Sequence, residues 1–179
     1  MLEVQNCCLV VVDVQGKLAQ LMYEKDKLFS ATQVLTKAAK ILNIPIIWSQ
    51  QCPQSLGDTI PQIAELLSGI DPINKSEFSC CGCEQFNAKL AALGRNQIVL
   101  CGIEAHICIY QAAVDLLRKG YDVTVVADAV SSRTLENKQI AIDRMKSEGV
   151  SISCVEMVLF ELLRTAEHPQ FKQIAGLIK

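Results

Sequence analysis

What most constrains this chain is a series of short, largely apolar runs, each followed by a stretch with helical spacing. Residues 7–13 read C-C-L-V-V-V-D. A run this short, with no polar alternation, is the pattern of a strand buried on both faces. Its closing carboxylate, Asp13, then lies at the carboxyl end of that strand. Residues 44–50 (I-P-I-I-W-S-Q), 98–101 (I-V-L-C), 121–127 (Y-D-V-T-V-V-A) and 150–154 (V-S-I-S-C) repeat the theme, and a very short run at 73–75 adds a sixth strand. Pro45 suits the start of its strand rather than the middle.

The intervening segments have the 3.6-residue period. Leu28, Ala31, Leu35, Ala38, Ala39 and Leu42 form one apolar stripe, predicting a helix over 27–42. Further helices are predicted at 62–68, 84–93, 106–119, 134–148, 155–163 and 171–178. Thr134 is a good N-cap, and Gly94, Gly120 and Gly149 stand just past helix ends. The stretch after 50, with Pro53, Gly57 and Pro61, is long for a simple connection and is a candidate functional loop.

Strands alternating with helices imply an α/β protein, a three-layer sandwich around a six-stranded parallel sheet. The expected strand order is 3-2-1-4-5-6, in one domain over 1–179. That order puts the topological switch point between the first and fourth strands, where ligands bind at the carboxyl ends. Asp13 stands at one of those ends. At the other, Q-I-V-L-C-G-I-E-A-H-I-C-I-Y at 97–110 reads as a strand broken by Gly102 and followed by a helix that begins near Cys108. A thiol in a first helical turn meets unpaired N–H groups and the positive end of the helix dipole, which favour the thiolate.

Composition narrows the partners. The chain carries 17 Lys and Arg against 19 Asp and Glu, mixed along its length with no basic stripe, so nucleic acid is not an expected partner. No apolar run is long enough to cross a membrane, and the N-terminus lacks the pattern of a signal peptide. The expected location is therefore the cytoplasm. Nine cysteines, several of them inside predicted strands, read mainly as buried thiols in a reducing compartment. A mean hydropathy of +0.26 suggests apolar surface covered in a homo-oligomer, a dimer or higher.

Each candidate for chemistry has a plain alternative. Cys108 is a nucleophile if a base adjoins it, or else one more buried thiol. Asp13 is the candidate base, or else a helix cap. Lys75, in P-I-N-K-S-E-F, would be a solvated surface lysine on spacing alone. Cys80 and Cys83 form a C-x-x-C without the second pair that a structural zinc needs, and without the strand-then-helix setting of a redox pair. There is no phosphate-binding glycine motif. Gln15, Trp48, Gln50, Phe78 and Tyr110 lie near predicted element ends and are candidates to line a substrate pocket, although the aromatic ones also suit the core.

Taken together, L-V-V-V-D-V-Q at 9–15, K-S-E-F-S at 75–79, C-G-I-E-A-H-I-C-I at 101–109 and D-A-V-S-S-R at 128–133 resemble the isochorismatase-like family of cysteine hydrolases, over nearly the whole chain. The resemblance implies a Rossmann-like sheet and an Asp13, Lys75, Cys108 triad. It also implies a non-proline cis peptide between Ile103 and Glu104, beside an oxyanion hole formed with Cys108. Metal-binding members carry D-x-H after the second strand. Here that region reads W-S-Q-Q-C-P-Q-S-L-G, so no metal or other cofactor is expected. Members that hydrolyse a vinyl ether generally lack the cysteine. The implied activity is metal-independent hydrolysis of a small amide, imide or related C–N substrate through a thioester. The alternatives are a non-catalytic binding protein of the same fold, or a thiol redox protein.

Overall fold

The computed structural model describes residues 1–178. In chain order the elements are β1 (Cys7–Val12), α1 (Gly16–Gln20), α2 (Lys25–Ile41), β2 (Ile46–Gln51), α3 (Pro53–Leu56), α4 (Pro61–Ala64), β3 (Ile73–Lys75), α5 (Glu84–Leu93), β4 (Gln97–Ile103), α6 (Tyr110–Arg118), β5 (Asp122–Ser131), α7 (Leu135–Ser147), β6 (Ser151–Ser153), α8 (Val155–Leu163) and α9 (Phe171–Ala175). The six strands form a parallel sheet in the order β3-β2-β1-β4-β5-β6, which is the architecture and order expected above.

Because side chains alternate across a strand, β1 feeds two cores. Cys7, Leu9 and Val11 join α2, α8 and Ile174 of α9 on one face. Cys8, Val10 and Val12 join α5, α6 and α7 on the other. This double burial explains the unbroken apolar run of β1. It also divides every strand-end residue between two sides of the sheet, and the candidate site lies on the side of the second core.

Several local features differ from expectation. β4 does not break at Gly102 but runs on to Ile103, and β5 continues past Asp128 to Ser131. The two extensions pair with each other, Gly102 with Val130 and Ile103 with Ser131, after a register shift. Gly102 has φ 121°, and a Cβ there would lie 2.0 Å from the Val12 carbonyl oxygen, so β4 and β1 touch backbone to backbone beside Asp13. Two short helices, α1 and α3, were not anticipated. They are stapled together by Gln15, whose side chain donates to the carbonyls of Gln51 (3.2 Å) and Gly57 (2.6 Å) and accepts from the Gln51 N–H at 2.6 Å. Thr134 caps α7 as anticipated, accepting from the Asn137 N–H.

Candidate functional site

The carboxyl ends of β1, β2 and β3 bring a carboxylate and an ammonium together inside the protein. Asp13 follows β1 in the left-handed region, φ 53°, a conformation an aspartate tolerates better than most side chains. Lys75 ends β3 and, with Ile73, points to the face opposite the exposed Asn74. Its Nζ donates to Asp13 Oδ2 at 2.6 Å, and the side chains are 0% and 3% exposed. The same ammonium donates to Gln51 Oε1 at 2.8 Å and to the carbonyls of Glu77 and Phe78 at 3.1 and 3.3 Å. Asp13 Oδ1 accepts from the Ser49 hydroxyl at 2.7 Å, which also stands 3.7 Å from Cys80 Sγ.

Cys108 arrives from β4. The Ile103–Glu104 peptide bond is cis. Residues Ala105–Ile109 then form a π-helical turn in which the Glu104 carbonyl accepts from the N–H groups of Ile107 and Ile109. Such turns are uncommon and frequent at functional sites. The Cys108 thiol therefore enters from a widened turn ahead of α6. Glu104 is only 5% exposed, and its Oε2 accepts from both the backbone N–H and Nε of Arg133 at 3.1 Å, tying the end of β4 to the segment after β5.

The electrostatics modify the expectation of a stored thiolate. Burial, followed by the charge of Asp13, pushes Cys108 up to about 12, and Lys75 opposes that rise. Desolvation outweighs any help from the helix start. Cys80, fully buried beside the same pair, is also pushed up to about 12, first by burial and then by Asp13. For Lys75 burial works against the ammonium, but the neighbouring acidic groups, led by the Asp13 carboxylate, prevail and its pKa lies above the ordinary value. The resting arrangement is thus a protonated thiol whose titration is governed by burial and by the opposing charges of Asp13 and Lys75.

The proposed pocket residues sort by strand parity. On β2, Trp48 packs in the first core and its indole N–H donates to the Ile70 carbonyl at 2.9 Å. Gln50 lies on the same side and donates to Thr59 Oγ1 at 3.1 Å. Ser49 and Gln51, one residue out of step with them, carry the contacts to Asp13 and Lys75; the sequence reading missed both. Gln15 is fully buried in its loop staple. Tyr110 turns to α7, where its hydroxyl accepts from Arg144 at 3.0 Å under a guanidinium 5.5 Å from the ring. Phe78 stands beside Lys75 with its side chain open, 55% exposed. The nine cysteines are all unpaired, and Cys80 faces Ser49 rather than Cys83. The segment W-S-Q-Q-C-P-Q-S-L-G presents amides, two hydroxyls and a thiol, with no carboxylate or imidazole. Among the described residues no group of three or more His, Cys, Asp or Glu is placed to hold a metal ion.

The isochorismatase domain model matches residues 7–157, a span that contains every residue of the site. Isochorismatase domain-containing protein 2 of Danio rerio is 37% identical over 99% of this chain and 89% of its own. The structure named MAR1 ribonuclease, from Caenorhabditis elegans, superposes with a TM-score of 0.93 at 35% identity, covering 99% of this chain and 91% of that one. The YcaC gene product of Escherichia coli, named an octameric hydrolase of unknown specificity, has the same fold, with a TM-score of 0.93 at 24% identity over 99% of this chain and 88% of that one. With a family model spanning residues 7–157 and a relative 37% identical over nearly the whole chain, the chain belongs to the isochorismatase family.

Proposed function

We propose that this chain is a metal-independent cysteine hydrolase that cleaves a small amide, imide or related C–N bond. The observation that carries the reading is the buried Asp13–Lys75 pair, 2.6 Å apart, set against a thiol that burial keeps protonated. A thiol of that kind cannot wait as a free nucleophile. It gives its proton to Asp13 as sulfur bonds to the substrate carbonyl carbon, and Lys75 steadies the charge as it moves. The backbone N–H groups of Glu104 and Cys108 serve the oxyanion, each donor of this kind being worth about 2.7–4 kcal/mol in a transition state. Protonated Asp13 then donates to the leaving nitrogen. A water, deprotonated by Asp13, attacks the thioester and releases the acid and the thiol.

The exposed ring of Phe78 suits one wall of a pocket for a small, partly apolar substrate. We read the chain as one domain that works in a reducing interior, where nine unpaired thiols persist. We also read it as self-associating through exposed apolar side chains such as Leu21, Met157 and Phe160. A monomer in solution scattering at micromolar concentration would contradict the last point.

The test is a panel of small amides and esters, run with wild type and Cys108→Ala, together with alkylation by a mild electrophile mapped by peptide mass. Turnover and labelling should both vanish in Cys108→Ala. Wild-type protein that shows no preferred labelling of Cys108 near neutral pH would end the activated-thiol reading. Because one relative is named a ribonuclease, the panel includes a single-stranded RNA. Cleavage that survives Cys108→Ala would point to a different chemistry. An intact site with no turnover on any substrate would favour a binding protein of this fold.

A further inference from the structure

We propose that Gln51 is a positioning residue for Lys75, a neutral acceptor that aims the ammonium without competing for its charge. This deepens the triad reading above and rests on it.

The geometry leaves Gln51 one way to sit. Its Nε2 donates to the Ser76 carbonyl at 2.7 Å, a group that can only accept. The amide oxygen is therefore the atom that meets Lys75 Nζ, at 2.8 Å. The main chain is equally fixed, because Gln51 pairs in register with Lys75 across β2 and β3 and its N–H donates to Gln15 Oε1. Lys75 has three N–H donors. Asp13 Oδ2 takes one, Gln51 Oε1 a second, and the Glu77 and Phe78 carbonyls share the last. No donor is left over for a substrate, so Lys75 acts through its charge on Asp13 and Cys108.

Ser49, two residues earlier on the same face of β2, holds the other oxygen of Asp13. The middle strand thus grips both members of the pair with neutral groups, and the pair stays close to zero net charge. A carboxylate at position 51 would be nearly isosteric with the glutamine. It would divide the ammonium between two anions and leave the site one charge more negative, where a thiol must lose a proton.

The test measures the rate of acrylamide addition to Cys108 from pH 6 to 9, with folding checked by circular dichroism and thermal melting. The variants are Gln51→Glu and Gln51→Asn, with Lys75→Met and Asp13→Asn as references. Gln51→Glu should label about tenfold more slowly near neutral pH and need about one pH unit more to match the wild-type rate. Gln51→Asn keeps the charge but withdraws the oxygen by one methylene. It should slow labelling severalfold without displacing the pH profile, and it decides the matter if the glutamate variant fails to fold. A merely structural role would lower the melting temperature and leave the labelling rate of the folded variants at the wild-type value throughout the pH range. If Lys75→Met and Asp13→Asn alter labelling while both Gln51 variants follow the wild-type curve, Gln51 has no positioning role and the triad reading stands. If the two references also follow the wild-type curve, the triad reading falls and takes this inference with it.

Discussion

Asp13 and Lys75 have no water to compensate either charge if the other is removed, since their side chains are 3% and 0% exposed. Breaking a buried pair by removing one partner commonly costs about 3–5 kcal/mol, because the remaining charge is stranded. Lys75→Met should therefore lower the unfolding free energy by roughly that amount, read from the urea midpoint. The double variant Asp13→Asn/Lys75→Met removes both charges, and its loss should be clearly smaller than the two single losses added together. Strict additivity would mean that the two side chains do not act on each other. The same residues show what spacing cannot reveal. Asp13 was legible because it closes an apolar strand. Lys75 was not, because its partner lies 62 residues away and nothing local sets it apart from a surface lysine. Its pairing with Asp13 could be anticipated only from the family resemblance.

At the scale of elements, the continuous apolar runs were a reliable guide to which segments form strands, and the β-α alternation to their order. Parity and termination were harder to read. Which of Trp48, Ser49, Gln50 and Gln51 faces the site depends on how β2 meshes with β1 and β3, with Val12 beside Ser49 and Lys75 beside Gln51. A one-residue change of phase moves every side chain to the other face. Gly102 resembled a strand breaker because glycine usually is one. Here it permits a close approach, and β4 continues because β5 extends alongside it. The π-helical turn carrying Cys108 has no propensity signature of its own. Gly102→Ala tests the close approach. It combines an unfavourable φ of 121° with a Cβ 2.0 Å from the Val12 carbonyl oxygen, a cost of roughly 3 kcal/mol or more. Val12 precedes Asp13, so Cys108 labelling should slow as well. A variant within about 0.5 kcal/mol of wild type, the range of an ordinary surface change, would show that the strands can part without penalty.

Across the whole molecule, thiols are distributed through a sheet buried on both faces, and this gives the fold a pH limit. Burial dominates in pushing Cys8, Cys80, Cys101 and Cys108 to about 12 and Cys7 and Cys81 to about 11, from an ordinary value of 9.0. In the unfolded chain these thiols ionise near their ordinary value; in the folded protein they hold their protons. Above pH 9 the unfolded state therefore binds fewer protons, and stability falls as pH rises. Each such thiol contributes up to about 1.4 kcal/mol per pH unit, and the six together at most about 8 kcal/mol per unit. The fall begins just above 9 and continues toward 12. Lys75 acts in the same direction, because its raised pKa gives stability that is complete below the ordinary lysine value and is lost above its folded-state value. Below pH 8 all of these groups hold their protons in both states, so the wild-type denaturation midpoint should not change with pH on their account. Cys101 isolates the effect, since burial alone shifts it and it lies outside the site. Cys101→Ala should be less stable than wild type at pH 7 through lost packing, yet lose stability less steeply above pH 9, by about a sixth of the slope. Urea midpoints measured from pH 7 to 10.5 would test this. Parallel curves for the two proteins would mean that the alkaline limit arises elsewhere than in the buried thiols.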